Sequence, residues 1–328
     1  MNTNITLFLS LLIFSILFYS SLSDLCNPDD LKALLNIKQA FNNPYVLASW
    51  DPNKNCCHWY CVDCDSNNRI KTLSISYGDL SGPIPVAVGD LPYLERLDLR
   101  KLTNLTGPIQ RSIVKLKNLK FLRLSWTNLS GSIPDFLGEL NNLTFLDLSH
   151  NNLSGSIPGS LSKLQNLNAL HLDRNKLTGP IPESFGAFNG KVPSLYLSHN
   201  QLSGKIPSSL SNMDFNIIDL SRNKLEGDAS FLFRINKRTQ QLDVSRNLLE
   251  FNLSTVKFSM NLTSLDLNHN KIFGSIPTQL TSVDLQSFNV SYNRLCGQIP
   301  FGGKLQSFDY SSYFHNKCLC GAPLESCK

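Results

Sequence analysis

The sequence predicts an α/β solenoid: a curved, right-handed superhelix whose turns each add one short strand to a concave parallel β-sheet. Three observations lead to this fold. The 328-residue chain repeats with a period of 23 to 25 residues, each period contains two apolar residues flanking another residue, and most periods contain Gly-x-Ile-Pro. A period of this length is typical of leucine-rich repeats.

The turns must stack because no single turn can bury its own leucines. In Leu170-His171-Leu172 the alternation places both leucines on one face of a strand and His171 on the other. Stacking then joins the leucine faces into one core. The second core position occurs ten times, at Ile75, Leu99, Leu124, Leu148, Leu172, Leu197, Leu220, Val244, Leu267 and Val290.

Two further features recur in each turn after the strand. An asparagine such as Asn175 predicts a buried column of amides that satisfies backbone groups of neighbouring turns. The Gly-x-Ile-Pro segment combines a tight bend with extended backbone. Repeats seven and eight lack the proline, so we expect their turns to be built differently. The other asparagines are Asn151, Asn200, Asn223, Asn247, Asn270 and Asn293.

The two ends differ from the repeats. Residues 1–23 carry no Lys, Arg, Asp or Glu and contain an apolar run that is short for a membrane anchor, which indicates a secretory signal peptide. Residues 24–68, with an amphipathic helical pattern, are predicted to cap one end of the core, residues 69–300 form the ten repeats, and residues 301–328 cap the other end. The mature protein is therefore expected to be secreted.

All nine cysteines lie in or next to the two caps, which favours disulfides in an exported protein. The odd number leaves at least one thiol without an internal partner. Zinc binding through Cys61-x-x-Cys64 is an alternative, weakened by the lack of a second such pair. Connectivity cannot be deduced from the spacing.

Composition and motifs argue against several functional classes. The formal net charge of +5 favours extracellular polyanions as partners, and export argues against nucleic acid. Ser, His and Asp recur with the repeat and do not converge on one nucleophile and base, so we predict that the protein is not an enzyme and needs no cofactor or metal.

Two columns of variable residues are predicted to face outward on the concave sheet, since neighbouring strands lie about 4.8 Å apart. We name them the inner column and the outer column. The inner column, between the core residues, is Ser74, Asp98, Arg123, Asp147, His171, Tyr196, Asp219, Asp243, Asp266 and Asn289. The outer column, two residues after the second core position, is Tyr77, Lys101, Trp126, His150, Arg174, His199, Arg222, Arg246, His269 and Tyr292.

These columns form the candidate binding surface. The aspartates could instead pair structurally with arginines across strands. The outer column is mainly cationic, and because stacked like charges repel, a polyanionic ligand would stabilise it. Its histidines, with a reference pKa near 6.5, are expected to gain charge at mildly acidic pH. Trp126 and Tyr196 are candidate anchors. The predicted binding residues are Lys101, Arg123, Trp126, Asp147, His150, His171, Arg174, Tyr196, His199, Asp219, Arg222, Asp243, Arg246 and His269.

Glycosylation triplets are frequent. Asn289 would obstruct the concave face if modified, so we expect it to be bare. The predicted acceptors are Asn104, Asn128, Asn142, Asn152, Asn252 and Asn261.

The whole mature chain resembles the plant polygalacturonase-inhibiting proteins, most specifically in SWTNLSGSIPDF, SRNKLEGDASFLF, SRNLLEFNLS and HNKCLCGAPL. The resemblance implies plant-type repeats with a second short sheet and residence in the cell wall or apoplast. It also implies inhibition of fungal or insect endopolygalacturonases by a monomer that docks its concave face against the enzyme, and binding of de-esterified pectin. Relatives have glycine where this chain has Cys61, which is our candidate for the odd thiol. The implied disulfides are Cys26–Cys56, Cys57–Cys64, Cys296–Cys318 and Cys320–Cys327.

Two alternatives use the same scaffold. A receptor-like role in peptide perception would need a separate signalling partner. Ice binding would need a flat array of uncharged Thr or Asn, whereas the predicted columns are charged.

Overall fold

A computed structural model describes residues 26–188 and 194–328. The predicted signal peptide lies outside these residues. The first element is helix α1, Pro28–Ala40, which begins where the side chain of Asn27 accepts hydrogen bonds from the backbone N–H groups of Asp29 and Asp30. Ala33, Leu34 and Ile37 bury one face of it, as the amphipathic pattern predicts. In the described part of the chain no helix is long and apolar enough to cross a membrane.

Ten strands pair in parallel to form the concave sheet, which confirms the predicted fold class. A short strand, β1 (Val62–Cys64), pairs antiparallel with its first member. The ten strands are β2 (Ile70–Ser76), β3 (Arg96–Gly107), β4 (Phe121–Ser132), β5 (Phe145–Asp147), β7 (Ala169–His171), β9 (Ser194–Tyr196), β11 (Ile217–Asp219), β13 (Gln241–Asp243), β15 (Ser264–Asp266) and β17 (Ser287–Asn289).

A second set of short strands follows the concave strands, again pairing in parallel. The long strands β3 and β4 run through both sets, and the segments that follow the bend contain glycines in the left-handed region, such as Gly179 with φ of 76°. The separate strands of the second set are β6 (Asn152–Ser156), β8 (Lys176–Gly179), β10 (Gln201–Lys205), β12 (Lys224–Gly227) and β14 (Leu248–Leu249). A smaller sheet follows, made of β16 (Phe273–Gly274), β18 (Arg294–Gln298) and β19 (Cys318–Cys320).

Short 3-10 helices form the convex side, and we name them the convex row. Five-residue members begin directly after the proline of Gly-x-Ile-Pro, as at Gly159–Lys163 and Ser208–Asn212. Repeats seven and eight, which lack that proline, have only the three-residue helices Ser230–Leu232 and Leu253–Thr255. The convex row is therefore interrupted at the place where the sequence departs from the repeat.

The predicted asparagine column is present. In each turn the amide Nδ2 donates to carbonyls of its own turn and of the preceding turn, and Oδ1 accepts a backbone N–H of the preceding turn. For Asn247 the Nδ2 donates to the carbonyls of Leu220, Val244 and Ser245 at 3.0 to 3.2 Å, and Oδ1 accepts the N–H of Leu225 at 3.0 Å. The column continues one turn further than predicted, to Asn316 in the C-terminal cap.

The first repeats lack this asparagine and replace it differently. Leu102 is fully buried at the equivalent position of repeat two. In repeat three the hydroxyl of Thr127 donates to Oδ1 of Asn151. A hydroxyl or an apolar side chain therefore suffices where the turn lies next to the N-terminal cap.

The caps are held by disulfides and a buried ion pair. Asp30 accepts two hydrogen bonds from the guanidinium of Arg69 at 2.9 and 2.8 Å and one from the backbone N–H of Ile70 at 2.9 Å, which ties α1 to the start of β2. The disulfides are the four that the resemblance implies: Cys26–Cys56, Cys57–Cys64, Cys296–Cys318 and Cys320–Cys327. Because Cys64 is bonded to Cys57, the alternative zinc pair with Cys61 is not available.

Cys61 is the free cysteine of the described chain. Burial raises the pKa of its thiol to about 11, so it stays protonated at neutral pH and is a poor nucleophile.

Removing one member of the asparagine column should weaken the whole solenoid. The substitution Asn247→Ala removes four hydrogen bonds and leaves the backbone N–H of Leu225 without its acceptor, whereas the three carbonyls each keep another donor. We expect a loss of about 3 kcal/mol in unfolding free energy. The exposed Asn212→Ala is the matched control, with a change within about 0.5 kcal/mol. Chemical denaturation followed by circular dichroism measures both, and equal stability of the two variants would contradict a structural role for the column.

Candidate functional site

The inner column is straight because the concave strands pair without slippage. Asp219 lies opposite Tyr196 on one side and Asp243 on the other. The same one-to-one register runs from Ser74 in β2 to Asn289 in β17. The predicted surface is thus assembled from residues about 24 positions apart in sequence and about 4.8 Å apart in space.

The inner-column aspartates mostly stabilise their own turns. Oδ1 of Asp219 accepts the backbone N–H and the hydroxyl of Ser221 at 3.0 and 2.7 Å. Asp147 does the same with Ser149, and Asp243 accepts the N–H of Ser245. One carboxylate oxygen is occupied in each case, which favours the structural alternative for these residues. Among the described residues, the hydrogen bonds of Asp219 and Asp243 involve Oδ1 and not the second oxygen.

Arg123 and Asp147 are less accessible than their place among the predicted binding residues implies. The Arg123 guanidinium lies 3.3 Å from Asp98 and 3.2 Å from Asp147. Asp147 itself is buried. This carboxylate–guanidinium–carboxylate group joins three strands and leaves Arg123 little free charge to offer a ligand.

Every residue of the outer column adopts the left-handed backbone conformation, with φ between 53° and 58°. From Trp126 onward, the backbone N–H of each outer-column residue donates to a carbonyl of the next turn, as from Arg222 to Ser245 at 2.9 Å. This conformation excludes β-branched residues and costs roughly 1 kcal/mol or more for others. The strain aims one side chain per turn at the concave face, and the series continues beyond the predicted column to His315.

Three arginines of the outer column are exposed and free of ion pairs within the described residues: Arg174, Arg222 and Arg246. Their equivalent positions and shared conformation place them on one side of the molecule. Exposed guanidinium groups without partners are the best-suited groups in this column to pair with carboxylates in two hydrogen bonds.

The histidines next to these arginines correct one expectation. Burial lowers the pKa of His150, His199 and His269 below the ordinary value, and the neighbouring arginines lower it further. These histidines therefore stay neutral down to a lower pH than the sequence analysis predicts. The fixed positive charge of the column comes from arginine and Lys101, not from histidine.

Aromatic stacking orders side chains of repeats three to six on the concave face. The Trp126 indole stacks on His150 with ring centres 3.5 Å apart, and His171 stacks on Tyr196 at 4.3 Å. Trp126 is nevertheless 50% exposed. A large ring that is held in place while exposed loses little conformational entropy on binding, which suits an interface anchor.

A third outward-facing column was missed by the sequence analysis. Phe121 and Phe145, one position before the first core leucine, stack with ring centres 4.5 Å apart beside Arg123. The sequence could have revealed this column, because residues two apart in a strand share a face and Phe121 therefore lies on the same face as Arg123.

Asp173 was also missed as a candidate. Repeat five carries Asp173 where both neighbouring repeats have serine, Ser149 and Ser198. Burial raises the pKa of Asp173 to about 6, with Asp147 adding to the effect. Asp243 behaves similarly, with burial raising its pKa to about 6. These two carboxyl groups therefore titrate near the pH of a mildly acidic compartment.

The predicted glycosylation sites are accessible with one exception: Asn252 is half-buried, and its side chain caps the short helix at Leu253. Asn289 is half-buried on the concave face, where its Oδ1 accepts two hydrogen bonds from Ser291. The exposed acceptors are Asn104, Asn128, Asn142, Asn152 and Asn261.

Comparison with known proteins agrees with this architecture. The family model described as Leucine rich repeat N-terminal domain matches residues 27–65, and the Leucine Rich Repeat model matches residues 118–140, 142–164, 166–188, 192–213 and 261–283. A polygalacturonase inhibitor of Pyrus communis is 69% identical over 330 residues, covering 100% of both chains. One of Vitis vinifera is 67% identical over 309 residues, covering 94% of this chain and 93% of the relative.

A solved structure is also similar. The crystal structure of a plant ice-binding protein has a TM-score of 0.91 and 54% identity, covering 92% of this chain and 98% of that one.

The raised pKa of Asp243 has a consequence for stability. Its carboxyl is easier to protonate in the folded chain than when unfolded, so its stabilising contribution is complete below about pH 4 and is lost as the pH rises through about 6. We expect Asp243→Asn, which keeps the hydrogen bond to Ser245, to increase stability by roughly 1–2 kcal/mol at pH 7.5 and to change nothing at pH 4. Thermal unfolding at both pH values measures this, with the exposed Asp79→Asn as the control. A gain at pH 4 equal to that at pH 7.5 would rule out carboxyl ionisation as the cause.

Proposed function

The chain belongs to the polygalacturonase inhibitor family of leucine-rich-repeat proteins, and from that premise we propose that it is a secreted cell-wall protein that inhibits fungal or insect endopolygalacturonases. The observation that carries the proposal is 69% identity along the full length of an inhibitor from Pyrus communis. On this proposal the protein is not itself an enzyme, acts as a monomer and needs no cofactor.

The concave face offers a physical route to inhibition. A glycosidase acting on a polyanion needs cationic groups to hold its substrate and carboxylates to cleave it. Arg174, Arg222 and Arg246 are exposed cations that can pair with such carboxylates. Asp219 and Asp243 each keep one oxygen for basic groups of the enzyme. Opposite charges on adjacent columns allow one face to match both parts of the cleft.

Aromatic side chains would supply most of the non-polar contact. Trp126 and Tyr196 are each held by a stacked histidine, at 3.5 Å for Trp126 and 4.3 Å for Tyr196. Anchors of this kind dominate interface energies, while exposed charges at the rim mainly affect association rate and specificity. We propose that Trp126 and Tyr196 hold the enzyme and that the three exposed arginines of the outer column orient it.

The same arginines support binding of de-esterified pectin. Polygalacturonate carries one carboxylate per sugar, and the outer column carries arginines at repeated spacing without internal ion pairs in the described chain. Retention in the wall would follow from this binding and would place the inhibitor beside the substrate of its target.

Ice binding is a second candidate because a plant ice-binding protein shares the fold at a TM-score of 0.91. Ice binding requires a regular, uncharged array, and the outward concave positions carry arginine, aspartate and stacked aromatic rings. The charged columns therefore favour inhibition.

Charge reversal at two arginines tests the docking surface. We expect Arg174→Glu with Arg222→Glu to abolish inhibition, with the inhibition constant raised more than about 100-fold, because two attractive pairs become repulsive. The measurement is inhibition of a panel of fungal endopolygalacturonases by purified protein.

The control for this double variant is Lys117→Glu with Lys163→Glu, which makes the same change in net charge at exposed sites away from the columns. Circular dichroism verifies folding of both. Inhibition constants unchanged in the folded arginine variant would reject the outer column as the docking surface.

Pectin binding should depend on pH through carboxyl groups. Between pH 7 and 5, Asp173 and Asp243 lose negative charge beside the arginines, since their pKa values are about 6. We expect polygalacturonate to bind roughly three- to tenfold more tightly at pH 5, a change of about 1 kcal/mol.

Titration calorimetry at both pH values tests this origin. Asp173→Asn should reduce the difference by strengthening binding at pH 7, whereas His199→Gln should preserve it. If His199→Gln removes the pH dependence and Asp173→Asn does not, the histidines control binding after all.

A further inference from the structure

The interruption of the convex row opens a cleft on the side of the molecule opposite to the concave columns. It lies where the short helices Ser230–Leu232 and Leu253–Thr255 replace five-residue helices. Its volume is about 670 Å³. Clefts of roughly 300–1,000 Å³ accommodate small organic ligands.

The cleft has an apolar floor. Phe233 and Val256 are buried beneath it, and Ile235 at its rim is 55% exposed. Ser230 and Thr255 add hydroxyl groups to the wall. A large exposed aliphatic side chain above a buried aromatic ring is suited to covering an apolar body.

Cationic groups surround this floor. The ammonium group of Lys237 donates to the carbonyls of Ser211, at 2.8 Å, and Met213, which fixes it at the base. Arg234 and Lys257 also line the cleft and are exposed, and neither makes an ion pair with any described residue.

The carboxylate in the lining is already engaged. Oδ2 of Asp214 lies 3.4 Å from Nε of Arg238, and its Oδ1 accepts the backbone N–H of Arg238 at 2.8 Å. The cleft therefore has two unengaged cations and no unengaged carboxylate among its lining residues.

We propose that this cleft binds a small amphipathic organic acid, with the apolar or aromatic body on Phe233 and Val256 and the carboxylate between Arg234 and Lys257. The ligand class follows from the combination of an apolar floor and an excess of positive charge. The site is independent of the inhibitory face, because it lies across the core from the concave columns.

A pectin fragment fits these features less well. Each uronic acid ring carries hydroxyl groups on both faces and its own carboxylate, so it would leave the apolar floor covered by polar groups. Binding of such a fragment in the cleft would contradict the proposal.

Titration calorimetry of the full mature chain with cinnamate tests the proposal, with the neutral cinnamamide and trigalacturonate as comparison ligands. We expect cinnamate to bind with a Kd below about 1 mM and cinnamamide at least about tenfold more weakly. The double variant Arg234→Gln with Lys257→Gln should weaken cinnamate at least tenfold and lose the preference over the amide.

Two controls separate the cleft from general charge effects. Lys163→Gln removes an exposed lysine of the convex row that does not line the cleft, and Arg222→Gln removes an arginine from the concave face. Both variants should bind cinnamate as the unaltered protein does. The proposal is overturned if cinnamate shows no saturable binding up to 10 mM, a concentration about tenfold above the expected Kd. It is also overturned if the double variant binds cinnamate with an unchanged Kd. A third contrary result would be trigalacturonate binding more tightly than cinnamate and losing that binding in the double variant Arg234→Gln with Lys257→Gln.

Discussion

A buried column of asparagine amides keeps the turns of this protein in register. Each amide spans two turns: for Asn223, Nδ2 donates to the carbonyls of Leu197 and Leu220 at 3.0 and 3.1 Å, while Oδ1 accepts the N–H of Leu202. Backbone groups that leave the concave sheet would otherwise lie buried without partners, at a cost of about 1–3 kcal/mol each. Because this requirement repeats in nearly every turn, the turns have equal height, and equivalent side chains lie in straight columns. The binding surface is a consequence of satisfying the backbone.

The same geometry divides the outward residues by role. Inner-column aspartates such as Asp219 accept hydrogen bonds from the serine two residues later and so hold the bend. The outer-column residue that follows this serine has a left-handed backbone and projects outward. The outward residue is free to vary as long as it is not β-branched. The guanidinium groups of Arg174, Arg222 and Arg246 supply positive charge, and the lowered pKa values of the neighbouring His199 and His269 keep the total repulsion small. The half-buried carboxyl groups of Asp173 and Asp243, with pKa values of about 6, titrate at mildly acidic pH.

The sequence alone predicted what depends on periodicity: ten repeats, both columns and the asparagine column. It did not predict what depends on three-dimensional packing. The pKa shifts of His150 and Asp173 come from burial, which spacing does not reveal. The continuation of the columns to His315 and Asn316 was detectable, since HNKCLCG repeats the pattern of YNRLCGQ, but the polar Ser311 stands where the first core residue of a repeat would be. The convex cleft lies where repeats seven and eight depart from the Gly-x-Ile-Pro pattern, which predicted an altered turn without indicating its shape. Loss of the proline alone is not sufficient, since repeat two has Gln110 at that position and keeps the five-residue helix Arg111–Lys115. The disulfide pairs came from the family resemblance, because spacing permits many pairings.

Hydrogen–deuterium exchange with and without a bound fungal endopolygalacturonase tests the central claim, that stacking produces one continuous docking surface. The account predicts slower exchange at the bends that carry Arg174, His199, Arg222 and Arg246, as one uninterrupted series on the concave side. It predicts no change in the helices of the convex row, such as Ser208–Asn212. Protection confined to the convex row, or scattered among bends that are not neighbours, would contradict it.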